Sequence, residues 1–389
     1  MAAVDSASAR TALADVVERF ARTEIAPHVN AWEAAGEFPR PLYQRAATLG
    51  LLGIGYPESL GGGDDAADAP TPMAVKLGMW INLARFGGSG GVFASLFSHN
   101  IGMPPLLAYG TEALQREVLP SVLSGAAISA LCITEPGGGS DVAALRTTAQ
   151  LDGEHYIVQG EKTFITSGMR ADWLTVAVRT GAQRGASGIS MLLIPANSAG
   201  ISRSKLEKMG WWCSDTAHIR FDNVRVPARY LLGLEGSGFK IIMGNFNGER
   251  VAMAAGALGF AQACYDEALA WAQQRKAFGH TLAEHQVIRH KLADMQMRIR
   301  STLAWVNAVA SQHDAGDTGS SWVADVCLLK NHATQTMQFC ADQAVQILGG
   351  MGFMRGTVSE RIYREVKVMM IGGGSEEIMK ELAAKQLEI

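Results

Sequence analysis

A chain of 389 residues, 48% hydrophobic and 18% charged, exceeds the size at which one core keeps growing, so more than one domain is expected. Its formal net charge of −3 and the absence of any Lys/Arg run leave no electrostatic footprint for nucleic acid. No uncharged stretch is long enough to span a bilayer comfortably, and no basic segment followed by an apolar one opens the chain.

Leu13, Val16, Val17 and Phe20 fall at i, i+3, i+4 and i+7, which predicts an amphipathic helix closed off by Pro27. Helical patterns continue over Leu42–Leu52 and Met73–Leu83, and the Gly61-Gly62-Gly63-Asp64-Asp65 segment between them predicts a mobile loop. Gly87-Gly88-Ser89-Gly90-Gly91 lacks the GK[ST] ending and the preceding strand of a phosphate loop, so it predicts a bend or close helix packing.

Near residue 130 the period changes. His155–Gln159, Trp173–Val178 and Ile189–Ile194 are short and rich in β-branched residues, and His218–Asp222 alternates polar with apolar. Gly153, Gly160, Gly181-Ala182, Gly185 and Gly200 punctuate these segments, predicting a small antiparallel barrel or sandwich of about a hundred residues. After Pro227 helices return, over Phe246–Gln274, Gln286–His313 and Trp322–Leu348, with a last one from Ser375. Helices, then strands, then helices is an α+β order that argues against a Rossmann fold. The five cysteines (Cys132, Cys213, Cys264, Cys327, Cys340) show neither CxxC spacing nor a His partner at metal-ligand spacing. They read as reduced packing thiols of a cytoplasmic protein, and no metal ligand is assigned.

Four stretches carry chemistry. Thr134-Glu135-Pro136-Gly137-Gly138-Gly139-Ser140-Asp141 joins helices to strands, with hydroxyls and glycine amides suited to a polar ligand edge. Phe164-Ile165-Thr166-Ser167 puts a hydroxyl beside an aromatic at a second strand end. Arg275-Lys276-Ala277-Phe278-Gly279 precedes Gln286, and Gln346-Ile347-Leu348-Gly349-Gly350-Met351-Gly352-Phe353 lies further on. Separately, Asn245-Phe246-Asn247-Gly248-Glu249-Arg250 opens an apolar run to Ala263 where a helix is expected to begin. Glu249 there either complements the helix N-terminus or, partly desolvated, serves as a general base.

In this order the motifs resemble the acyl-CoA dehydrogenase family across essentially the whole chain. The resemblance implies an N-terminal helical domain (1–128), a middle β-barrel or sandwich domain (129–233) and a C-terminal four-helix bundle (234–389). It also implies bound FAD, acyl-CoA as substrate, an electron-transfer flavoprotein as partner, and a homotetramer. By the same resemblance Thr134 and Thr166 would bond the flavin ring beside Phe164, and Ser140 would reach FAD phosphate or substrate. Arg275, Phe278 and Gln286 would hold the FAD of a neighbouring subunit, with Gln346 and Gly350 on its adenine–pyrophosphate part. Ser375 and Glu377 are assigned to the cofactor as well. Phe246, Asn247 and Arg250 would line the acyl-CoA channel.

One departure moves the base. Where many members carry an Ile-Tyr-Glu-Gly-Thr turn, this chain reads Ile371-Gly372-Gly373-Gly374-Ser375, so Gly373 stands at the Glu position and Gly372 at the Tyr. The branch resembling long-chain and isovaleryl-CoA dehydrogenases places its base on a helix just before an Arg, which Glu249-Arg250 matches. Glu249 is therefore the expected base, the Gly373 backbone N–H the expected thioester donor, and Gly372 part of a widened acyl wall. The activity implied is α,β-dehydrogenation of a long-chain, branched or isoprenoid acyl-CoA. An oxygen-using acyl-CoA oxidase and a non-catalytic acyl-CoA or flavin scaffold are the competing readings.

Overall fold

The computed structural model describes residues 12–64, 70–181 and 185–389; Asp65 of the expected loop and Ala182 of the expected turn lie outside them. A helix over 12–20 runs on through a π-turn (Ala21–Ile25), followed by helices Val29–Ala35 and Pro41–Thr48. Met73–Gly87 ends where Gly88 takes φ +59, and the Ser89 Oγ accepts from Val92 N at 3.2 Å to start Gly90–Leu96. A Cβ on Gly90 would stand 2.1 Å from Trp211 Nε1, so the glycine run is both a bend and a close approach.

The described part of the expected mobile loop is instead pinned. Gly62, Gly63 and Asp64 N–H groups donate to Pro57, Gly53 and Tyr56 carbonyls at 2.9, 2.9 and 3.0 Å. The Asp64 carboxylate takes the Gly55 and Thr71 N–H groups at 3.1 and 2.9 Å. Glycine serves here because a Cβ on Gly62 would fall 1.9 Å from Tyr56 O.

The middle region is one eight-stranded sheet: β1 Ser129–Cys132, β2 Thr148–Asp152, β3 His155–Thr166, β4 Trp173–Arg179, β5 Ile189–Pro195, β6 Ile201–Lys205, β7 Thr216–Pro227 and β8 Leu231–Leu232. Its order is β6-β7-β3-β2-β4-β5-β8, with β1 parallel on β4. The antiparallel register of β3 on β7 slips between Val158 and Gly160 and again between Lys162 and Ile165. The second slip lies where β3 reaches the site, and bulges of this kind re-aim side chains. β2 and β6, which the sequence reading did not predict, are short and largely solvent-facing, so the apolar pattern is thin there.

The helices Gly238–Gln274, Gln286–Asp314, Ser320–Leu348, Val358–Ile371 and Glu376–Gln386 form the C-terminal block. Two findings correct the sequence reading. The first of these helices begins at Gly238 rather than near Phe246. Gly244, Asn245, Asn247 and Gly248 are weak helix formers, but Ile241 and Ile242 bury against the sheet's core and carry the extra turns. Val358–Ile371 was not predicted; its charged residues break up the apolar run. Its cap was legible, since Thr357 Oγ1 accepts from Glu360 N at 3.3 Å.

One hydrophobic core joins the N-terminal helices to the C-terminal block, through Trp80, Leu83, Leu258 and Phe260 among others. A second belongs to the sheet and the helix Glu112–Leu123. All five cysteines are buried and free.

Candidate active site

Between the two cores lies a cavity of about 1550 Å³. The turn after β1 and the end of β3 contribute Thr134, Ser140, Phe164 and Thr166 to its wall. The helix Gly238–Gln274 contributes Phe246, Glu249 and Arg250, and the C-terminal turn contributes Gly372, Gly373 and Ser375. Of the residues singled out from sequence, Asn247, Arg275, Phe278, Gln286, Gln346, Gly350 and Glu377 do not line it.

The turn after β1 owes its shape to a buried pair that the sequence did not disclose. Lys162 on β3 is fully buried, and its ammonium donates to Glu135 Oε1 at 2.8 Å and to Ile133 O at 3.0 Å. Glu135 further accepts the Arg146 and Thr147 N–H groups at 2.6 and 2.9 Å. Burial alone would push the Glu135 carboxyl up; Lys162 and the bonds from Thr147 outweigh it and hold it below the usual range. Each charge is satisfied, so the strut is rigid.

On this strut the wall offers hydroxyls and an aromatic face. Thr134, Ser140 and Thr166 make no side-chain hydrogen bond within the described residues. A Cβ on Gly137 or Gly138 would meet nothing within 4 Å. Phe164 is 70% exposed and holds φ +60, a left-handed conformation that costs an aromatic residue free energy. Unsatisfied hydroxyls, open glycine backbone and an exposed aromatic fit a flat, polar-edged ring such as a flavin.

Glu249 lies three turns inside its helix, so the helix N-terminus has no part in its setting. Its Oε2 is buried and has no hydrogen-bond partner among the described residues. Burial raises the carboxyl from 4.5 to about 7, with Arg250 and Lys330 opposing the rise. A Cβ on Gly373 would stand 3.9 Å from Glu249 Oε1 and 2.9 Å from Met253 Sδ. Glu249 and the turn therefore share one small volume.

The turn itself is anchored by its carbonyls. Arg250 Nε donates to Gly373 O at 3.0 Å, Lys330 Nζ to Met370 O at 3.0 Å and Gly374 O at 2.7 Å, and Asn331 Nδ2 to Glu376 O at 2.9 Å. Gly373 and Gly374 adopt φ +66 and +115, which only glycine takes readily. The Gly373 N–H donates to no group among the described residues. Asn247 Oδ1 accepts from Arg250 Nη1 at 3.1 Å, and so steadies the arginine rather than facing the cavity. Ser375 caps the last helix through Ile378 N, with Glu376 and Glu377 in its first turn, where acidic residues suit the helix dipole. Lys330 and Asn331 were missed from sequence; the signal was a lysine on the apolar face of a predicted helix, between Leu329 and Ala333.

Another carboxyl, fully buried, borders the cavity. Glu365 accepts Gly90 N–H at 2.9 Å, while its Oε1 has no partner. Burial and neighbouring Glu33 raise it to about 8, against Arg361 and Arg364. It faces Gly90 and Gly210, whereas Glu249 faces the glycine turn.

The remaining residues lie on the outer surface. Lys276–Ala277 and His280–Thr281 pair as a tight hairpin whose tip, Phe278 and Gly279, has φ +53 and +84. Phe278 is 95% exposed, and Arg275, Gln286, Gln346 and Gly350 are exposed as well. An aromatic so displayed loses the burial free energy that such side chains ordinarily supply.

Models of the acyl-CoA dehydrogenase N-terminal, middle and C-terminal domains match residues 8–126, 130–224 and 236–388. The chain belongs to the acyl-CoA dehydrogenase family. This acyl-CoA dehydrogenase is 37% identical over 378 residues to the mitochondrial long-chain specific acyl-CoA dehydrogenase of Mus musculus, covering 95% of this chain and 84% of that one. A probable acyl-CoA dehydrogenase of Mycobacterium abscessus shares the fold with a TM-score of 0.92 at 44% identity, covering 97% of this chain and 98% of that one. A glutaryl-CoA dehydrogenase of Mycobacterium smegmatis in complex with FADH2 aligns with a TM-score of 0.89 at 26% identity, covering 97% and 94%. The protein is thus an FAD-dependent oxidoreductase acting on acyl-CoA thioesters. Among the described residues no helix is long and apolar enough to cross a membrane.

Proposed function

We propose that the enzyme oxidises a long-chain, branched or isoprenoid acyl-CoA to its trans-2-enoyl thioester, with Glu249 as the base and an electron-transfer flavoprotein as acceptor. The observation that carries this reading is the buried, unpartnered Glu249 Oε2 on the same wall as the free Gly373 N–H. A thioester whose carbonyl oxygen accepts from Gly373 N–H presents its α-carbon to Glu249. The N–H stabilises enolate charge as it develops, a contribution of about 2.7–4 kcal/mol for one such donor. Glu249 takes the α-proton; an ordinary carboxylate would be a weaker base, and burial strengthens it. FAD, when bound, would supply the acceptor for the β-hydrogen leaving as hydride. Thr134, Thr166 and Phe164 would hold its ring, and Ser140 its phosphate side or the substrate. Phe246 and Arg250 would line the thioester channel.

The absence of side chains at Gly372 and Gly373 supports an acyl group that is branched or bends beside the base. The exposed hairpin supports a cofactor shared between copies: Arg275, Phe278 and Gln286 of one chain would meet the FAD of another, with Gln346 and Gly350. A homotetramer in the cytoplasm is the assembly this reading expects, and a fully yellow monomer on a sizing column would refute the shared site. The activity is tested by anaerobic titration with straight, 3-methyl-branched and isoprenoid acyl-CoAs, following flavin absorbance. Bleaching by at least one class is expected. No bleaching by any would leave a binding scaffold, and oxygen consumption during turnover would favour an oxidase.

A further inference from the structure

The C-terminal turn gives its carbonyls to buried side-chain donors and leaves the Gly373 N–H without a partner among the described residues, and one fully buried side chain makes two of those bonds. Lys330, on the third helix of the C-terminal block, donates to Met370 O at 3.0 Å and to Gly374 O at 2.7 Å. These two carbonyls bracket Gly373, so the ammonium clamps the turn on both sides of the N–H that would meet the thioester. Arg250 holds Gly373 O between them at 3.0 Å. With three carbonyls turned into the bundle, the glycine φ values of +66 and +115 follow, and Gly373 N–H is left without a partner within the described residues.

We propose that Lys330 is a positioning residue for dehydrogenation, clamping the C-terminal turn so that Gly373 N–H faces the thioester and supplying the cation that faces Glu249 from the neighbouring helix. The proposal rests on the reading of Glu249 and Gly373 given above. A clamp of this kind needs an ammonium rather than a guanidinium, because the two carbonyls converge on one compact donor. Burial lowers Lys330 to about 8, and Glu376, Glu249 and Cys327 oppose the fall while Arg250 adds to it. Glu249 in turn is faced by Arg250 from its own helix and by Lys330. Removing the Lys330 charge therefore leaves Glu249 harder to ionise, and the base becomes available only at higher pH.

The holoenzyme with Lys330→Gln and with Lys330→Arg separates the two parts of the role. The rate of flavin reduction by acyl-CoA is measured against pH, and the binding of acetoacetyl-CoA, whose enolate reports on the thioester donor, by its absorbance. Lys330→Gln removes the charge. Its acid limb should move up by about half a pH unit or more relative to wild type. Lys330→Arg keeps the charge but not the compact clamp. Its acid limb should stay in place, while reduction slows by about tenfold and enolate formation weakens in parallel. A wild-type limb in the first variant together with wild-type rate and enolate binding in the second overturns the proposal. If Lys330→Gln does not accumulate as folded protein, Lys330→Arg decides alone by its rate and enolate binding. Glu249→Gln serves as the reference. Fast flavin reduction in that variant sinks the assignment of the base, whereas a dead Glu249→Gln beside unaffected Lys330 variants sinks only the clamp.

Discussion

Two glutamates border the same cavity, Glu135 buried and Glu249 half-buried with its Oε2 out of water, yet their surroundings treat them oppositely. Glu135 accepts an ammonium and two backbone N–H groups, and its carboxyl stays ionised below the usual range. Glu249 has an oxygen with no partner among the described residues, and its carboxyl rises to about 7. Both carboxyls are desolvated; the number of donors that meet them differs. A buried carboxylate whose lone pairs are filled is a strut, because moving it would break every bond at once. One left unfilled is destabilising to the fold and reactive toward a proton, which is the state a general base requires. Glu365 has one bond and one orphan oxygen yet rises further, to about 8, because its burial is compounded by neighbouring Glu33.

The comparison breaks most visibly at Glu249. Glu249→Gln should keep FAD and thioester binding and lose turnover by on the order of a thousandfold, within the range a general base contributes. Retention of more than about a tenth of the rate would remove Glu249 from the reaction, since an amide cannot accept this proton.

At the strut the loss should appear in stability instead. Lys162→Met strands a buried carboxylate and should cost roughly 3–5 kcal/mol, whereas Lys162→Met combined with Glu135→Leu should recover most of it. Denaturant midpoints of the two variants measure this. A single variant as stable as wild type would show that water reaches Glu135, and the contrast with Glu249 would fall.

A smaller effect has a sign set by linkage. The Glu249 carboxyl titrates near 7 in the folded protein against 4.5 in the unfolded chain, so between these values the folded state holds more protons. Stability therefore falls as pH rises from about 4.5 to 7 and is level in this respect above 7. Glu365 acts in the same direction, up to about 8. Glu249→Gln should remove the Glu249 share of this slope. It should thus be more stable than wild type at pH 8, by about 1–3 kcal/mol after allowing for the carboxylate's access to the cavity. Equal melting temperatures at pH 8 would mean that the carboxylate finds partners in solution.

The smallest effect tests whether base and turn address one carbon. With a Cβ at Gly373 only 3.9 Å from Glu249 Oε1, Gly373→Glu alone should be slow, because two carboxylates in one dry volume cannot both ionise near neutrality. The double variant Glu249→Gly with Gly373→Glu should regain activity over Glu249→Gly by about tenfold, favouring straight-chain substrates. The gain is limited because φ +66 costs a non-glycine residue roughly 1–2 kcal/mol, and Met253 Sδ, 2.9 Å away, must shift. A double variant as inactive as Glu249→Gly would place the two positions on different atoms.

Much of this was legible in the amino-acid sequence alone. The helix, strand, helix order, the motifs that carry the family resemblance, and the pairing of a missing turn carboxylate with Glu249-Arg250 all lie in residue identity and spacing. What stayed hidden has a common cause. The start of the helix at Gly238 runs against local propensity and depends on Ile241 and Ile242 meeting the sheet. The pinning of Gly61–Asp64 depends on carbonyls several residues back along the chain. Lys162 and Lys330 look like ordinary lysines in sequence, because their partners lie 27, 40 and 44 positions away.

Local pattern determined which segments are helical or extended and which residue types stand at the ligand's edge, since periodicity and side-chain chemistry act over a few residues. Only the tertiary structure decided which buried charges are satisfied. A carboxylate's proton affinity is set by the donors and the solvent within a few ångströms of it, and in this chain those donors come from remote segments. Sequence could name Glu249 as a carboxylate beside an apolar helix; the packing of Arg250, Lys330 and the glycine turn around it left one oxygen without a partner.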